Sequence, residues 1–62
     1  MKLFTANYED GTQIVRFAKS LENMKAYAEN CGGKCLVWVV NESDYEVVAK
    51  MFGVELAEIE RI

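Results

Sequence analysis

The stretch Lys34-Cys35-Leu36-Val37-Trp38-Val39-Val40 constrains this chain more than any other. Read as a strand, it sends Cys35, Val37 and Val39 to one side and Leu36, Trp38 and Val40 to the other. A run that is apolar on both faces belongs to a strand covered on both sides. The chain is one domain, 1–62, because 62 residues allow no second one. A domain of this length buries only about 60% of the surface its unfolded chain exposes, so its core is thin. The hydrophobic fraction of 52% lies slightly above the about 45–50% of globular proteins, which excludes a disordered chain.

The remaining elements fall around that strand. Residues 2–19 read as a hairpin, because Glu9-Asp10-Gly11-Thr12 carries the Asp-Gly signal of a tight two-residue turn. That turn pairs Tyr8 with Gln13, Ala6 with Val15 and Phe4 with Phe17, so Phe4, Ala6, Tyr8, Val15 and Phe17 share a face. The other face is mixed: Leu3, Thr5, Asn7, Ile14, Arg16 and Ala18. Ser20 is the expected N-cap of a helix over about 20–31, with Leu21, Met24, Ala28 and Cys31 at helical spacing, Tyr27 beside them, and Gly32-Gly33 as the stop. Ser43 and Glu46 fit a capping box ahead of a second helix that aligns Tyr45, Val48, Ala49 and Phe52 and ends at Gly53. The tail reads either as a helix through Leu56, Ile59 and Ile62 or as a strand at about 57–62. The strand is preferred because no new cap follows Gly53. The expected fold is therefore α+β, in the order ββαβαβ, with a mainly antiparallel sheet and two helices.

The residue inventory argues against most chemistry. There is no histidine, and the two cysteines are Cys31 and Cys35. A nucleophilic thiol needs a base or another device that lowers its pKa. Cys31 closes a helix, where the dipole opposes a thiolate, and Cys35 is a strand residue. Two reduced thiols are the plain reading. A disulfide across Cys31-Gly32-Gly33-Lys34-Cys35 is geometrically possible, and a four-cysteine zinc would need a second chain. Glu9 with Asp10, and Glu42 with Asp44, are explained by turns and caps rather than by acid–base work. Gly32-Gly33-Lys34 lacks the rest of a phosphate-binding loop and ends a helix instead of opening one. No catalytic residue, cofactor or metal is expected.

The net charge is −3, with seven basic residues scattered among ten acidic ones. Phosphate binding asks for a basic patch, so a nucleic-acid partner is not favoured, and the sole Trp38 lacks the basic companions of a stacking platform. No apolar run approaches the roughly 20 residues of a membrane span, and no secretory leader is visible. A cytoplasmic location is expected.

Tyr8-Glu9-Asp10-Gly11-Thr12 as a hairpin turn, Phe17-Ala18-Lys19-Ser20-Leu21-Glu22 as the passage from strand to helix, and the closing Ile59-Glu60-Arg61-Ile62 resemble small phage- and prophage-encoded α+β proteins. The resemblance covers about half the chain and rests on structural idioms. It implies a protein that binds and inhibits a host enzyme or defence complex. The function expected from the sequence is therefore a non-enzymatic protein-binding module. The alternatives are a thiol redox protein using Cys31 and Cys35, and a nucleic-acid-binding domain. The two short helices either split, one to each face, and leave nothing exposed, or lie together and leave one sheet face bare; the second arrangement is preferred, and a bare apolar face is expected to be an interface. Its candidate residues are Leu3, Ile14, Cys35, Val37, Trp38 and Val39, and its expected occupants are a protein partner and a second copy, as a homodimer through the face opposite the helices.

Overall fold

A computed structural model describes all 62 residues. Three strands and two helices follow in the order ββαβα: β1 Lys2–Tyr8, β2 Gln13–Ala18, α1 Leu21–Gly32, β3 Cys35–Val39 and α2 Tyr45–Met51. Short 3-10 turns lie at Glu42–Asp44 and Leu56–Glu58. The sheet is antiparallel with strand order β2-β1-β3. The fold class is the small α+β domain read from the sequence, but four expectations change, three of them in the sheet and tail and one at the start of α2.

The hairpin register is the first. Gly11 N–H bonds to Tyr8 O at 3.0 Å, and Tyr8 N–H bonds to Thr12 O at 2.8 Å. The loop is therefore Glu9-Asp10-Gly11, a turn followed by a glycine bulge. A two-residue turn would need positive φ at both Asp10 and Gly11; only Gly11, at φ 91°, has it. Asp10 bends instead so that its Oδ1 accepts from Thr12 N–H at 2.8 Å, which holds its carboxyl below its ordinary range. The extra loop residue shifts the pairing by one, to Ala6 with Ile14, Thr5 with Val15 and Leu3 with Phe17. A shift of one turns β2 over. Phe4 and Phe17 thus lie on opposite faces, and both faces become apolar.

The second change follows from this. Phe4, Ala6, Ala18, Met24 and Ala28 form a core between the sheet and α1. Leu3, Val15, Ala49 and Ile59 form another against α2 and the tail, walled by Phe17, Val40, Tyr45, Val48 and Phe52. The helices are split, one to each face, so no helix-free face exists for the expected dimer. The cause is topological. The α1 crossover carries the chain from β2 past β1 to β3, and the α2 crossover carries it back to the outer edge of β2. Crossovers of one hand that run in opposite directions across a sheet use opposite faces. The central strand is consequently β1, whose adjacent Leu3 and Phe4 are both buried, and the apolar β3 is an edge.

The third is the tail. No strand forms at 57–62. Leu56–Glu58 is a 3-10 turn in which Glu58 Oε1 accepts from Glu55 N–H at 2.9 Å. A single parallel bridge then joins Arg61 to Phe17, with Phe17 N–H to Glu60 O and Ile62 N–H to Phe17 O both at 2.8 Å. Ile59, buried against Leu3, Val15 and Ala49, anchors this docking.

The helix boundaries agree with their sequence signals in α1, where Ser20 Oγ accepts from Asn23 N–H at 3.0 Å. The capping box expected at Ser43 and Glu46 is absent; Asp44 occupies the cap position of α2 without a side-chain bond. The 3-10 turn takes up Ser43, and its Asp44 N–H bonds to Asn41 O at 2.9 Å. At the other end Gly53, at φ 70°, completes a double closure: Gly53 N–H to Lys50 O at 3.0 Å and Val54 N–H to Ala49 O at 3.1 Å.

Candidate functional site

β3 is the strand the fold leaves least covered. α1 packs beneath Cys35 and Val37, which are half-buried. On the other face α2 reaches Val40 but not the rest of the strand. Leu36 is therefore 66% exposed and Trp38 58%, and on the α1 face Val39, at the end of the strand, is 54% exposed. Exposed apolar side chains are ordinary singly, but Leu36 and Trp38 are neighbours on one face of an edge strand, with Val39 exposed on the other, the kind of surface that marks an interaction site.

The backbone of β3 is open too. Val40 N–H bonds to Leu3 O at 2.8 Å, and Thr5 faces Trp38 while Asn7 faces Leu36 across the pair. Alternation along an antiparallel strand then turns the N–H and C=O of Cys35, Val37 and Val39 outward. Edges of this kind are normally blunted by lysine, proline or a bulge; none of these occurs between Cys35 and Val39. Lys34 stands before the strand and Glu42 after it, both exposed.

The six residues proposed as an interface from the sequence are not one surface. Leu3 is fully buried beneath α2, where its N–H reaches Tyr45 Oη at 3.3 Å, so it is withdrawn from any interface. Ile14, Cys35 and Val37 are half-buried on the α1 face. Trp38 and Val39 remain, on opposite faces of β3. Leu36, outside that set, is the most exposed of the strand's side chains. Its signal was present in the alternation that pairs it with Trp38, but which of the two sets is core depends on how far the helices reach. Beside Leu36, Asn7 buries its Oδ1 without a partner, although buried polar atoms are nearly always satisfied. Asn7, Lys34, Cys35 and Leu36 help line an open cleft of ≈370 Å³ at this end of the strand.

A second cleft of ≈420 Å³ runs between the hairpin loop and the end of α1, with Tyr8, Asp10, Thr12, Cys31 and Lys34 in its walls. The titratable groups of the two clefts are poorly suited to chemistry. Burial pushes the Cys35 thiol up, and Glu29 adds to this. Tyr8 is raised chiefly by burial as well, and its hydroxyl is committed to Ala28 O at 2.6 Å. Asp10 is held as a weak base by Thr12. Cys31 is exposed, and both cysteines are free thiols. No group of three or more His, Cys, Asp or Glu residues could hold a metal ion. Alkylation proceeds through the thiolate. Cys31 should therefore label with iodoacetamide before Cys35 at pH 8, with the Cys35 rate curve displaced above its ordinary midpoint of 9.0. Peptide mass spectrometry reads both sites. A Cys35 that labels first would require a depressed thiol and would reopen redox chemistry.

The fold and the strand surface together define the molecule as a small α+β domain with one open, apolar sheet edge. No protein-family model, curated protein or solved structure matches the chain. No helix is long and apolar enough to cross a membrane.

Proposed function

We propose that this chain is a non-enzymatic protein-binding module whose contact surface is β3. The observation that carries the reading is the exposure of Leu36, Trp38 and Val39 on an edge strand whose outer hydrogen-bonding groups are free. Tryptophan is enriched among the side chains that dominate binding energy, and an open edge can receive a further strand. The raised Cys35 thiol and the restrained Asp10 favour binding over catalysis. The resemblance to phage-type proteins directs the proposal toward a larger host protein whose activity the module blocks.

Affinity capture from a bacterial lysate tests this, with the wild-type chain and Trp38→Ala as paired baits. The wild type should retain a stoichiometric partner. Trp38→Ala should remain folded, because that side chain lies mostly in solvent, and should bind at least about 30-fold more weakly if Trp38 is a dominant contact. Capture of no partner, or equal affinity of both baits, would refute the assignment.

A further inference from the structure

Resting on the reading of β3 as a binding surface, the geometry points to its occupant: we propose that β3 pairs antiparallel with β3 of a second copy of this chain, in a closed two-fold dimer. Each copy contributes its three strands to one continuous sheet.

Four observations converge on this arrangement. The outward N–H and C=O groups belong to Cys35, Val37 and Val39, as the Val40-to-Leu3 bond dictates. Placing Val37 on the two-fold axis overlaps the whole strand and permits about six new backbone bonds. That register sets Cys35 against Val39 and the exposed Leu36 against the exposed Trp38, twice each by symmetry. Charge selects the direction. Antiparallel pairing carries Lys34 toward the end of the mate from which Glu42 projects, whereas parallel pairing in register would bring Lys34 beside Lys34.

Closure comes from the opposite edge. β2 is already occupied by the chain's own tail, through Phe17 N–H to Glu60 O and Ile62 N–H to Phe17 O. Full-length head-to-tail stacking of β3 on β2, which would propagate into a filament, is therefore obstructed at the Phe17 end. Two copies joined through β3 therefore leave at each outer edge a β2 whose Phe17 end the tail already covers. On the face shared with α2, the dimer brings Leu36 and Trp38 of both copies together around the axis, so the surface proposed for the partner becomes a single apolar platform.

Sedimentation of the full chain across the micromolar range, with amide hydrogen exchange on the same samples, provides the test. The wild type should dimerise, and protection at Cys35, Val37 and Val39 should rise with the dimer fraction. Val39→Pro removes an outward N–H, a position at which an edge strand tolerates proline. It should keep the circular dichroism of the fold and weaken the dimer at least about tenfold, through the lost backbone bonds. Lys34→Glu and Glu42→Lys are surface changes that spare the fold. Each alone should weaken the dimer about fivefold, and the double variant should restore it.

A chain that stays monomeric throughout, or a dimer indifferent to Val39→Pro and to the charge exchange, would overturn the proposal. So would edge protection that arises only when a foreign protein is added. A monomer that still captures a Trp38-dependent partner would overturn the dimer alone. A dimer that captures nothing would overturn the proposed function alone.

Discussion

Met24→Ala is expected to destabilise the domain by about 2–5 kcal/mol, the range for removing a large apolar side chain from a packed core. Met24 is fully buried. It is the only large side chain that α1 places in its core, where it meets Phe4, Ala6 and Ala18 of the sheet. Its neighbours are mostly alanines, which have no reach with which to fill the space it leaves. A single core in a domain of this size rarely supplies more than about 3–5 kcal/mol in total. The variant should therefore be largely unfolded in buffer, with loss of far-UV circular dichroism at 25 °C. Met24→Leu conserves most of the volume and should cost less than about 1.5 kcal/mol. Urea titration of both variants checks the contrast. Equal losses would mean that shape, not the void, sets the cost.

Ile59→Ala should have nearly the same effect on the other side of the sheet, again about 2–5 kcal/mol. A residue close to the end of a chain is ordinarily a poor place to look for stability, since termini fray. Ile59 is different because only 7% of it is exposed and it packs with Leu3, Val15 and Ala49. Two backbone bonds between the tail and Phe17 lie just beyond it, and the Arg61 guanidinium sits 5.6 Å from the Phe17 ring centroid. Loss of Ile59 should thus lower the unfolding midpoint of the whole domain cooperatively. If the tail merely frayed, the midpoint would hold and only amide exchange near Glu60 and Ile62 would accelerate. Calorimetry with hydrogen exchange distinguishes the two results.

Much of the fold was legible because it is governed by neighbours in sequence. Ser20, Gly33 and Gly53 mark the helix ends through local hydrogen bonds. The stripe Tyr45, Val48, Ala49 and Phe52 proved to be the buried side of α2. In α1 the stripe was only half right. Met24 and Ala28 are buried, while Leu21 is 51% exposed and Cys31 lies in solvent. Helical spacing states which side chains share a face but not how far the opposing sheet extends beneath them.

The candidate site was legible in composition and misread in position. Trp38 and Val39 do lie on the surface, yet Leu3 is core and Leu36 replaces it. The error has two sources. One residue in the hairpin loop reversed β2, and the direction of the second crossover put α2 on the far face. Neither is visible in any window of the sequence, because each depends on where chain segments distant in sequence come to rest.

By itself, then, the sequence determined the first three strands, the two helices, the Ser20 cap of α1 and a β3 apolar on both sides, while the fourth strand and the Ser43 cap it suggested do not form. The tertiary structure alone decided that β1 is central, that each face has its own helix, and that the tail closes the edge of β2. Those outcomes follow from packing and from the hand of the crossovers, which act between residues 12 to 56 positions apart, as from Leu3 to Val15, Val40, Ala49 and Ile59 and from Phe17 to Arg61. A strand with apolar side chains on both faces reads the same at the centre of a sheet as at its rim. Only the count of neighbours beside it separates a core strand from an open edge, and here β3 has one.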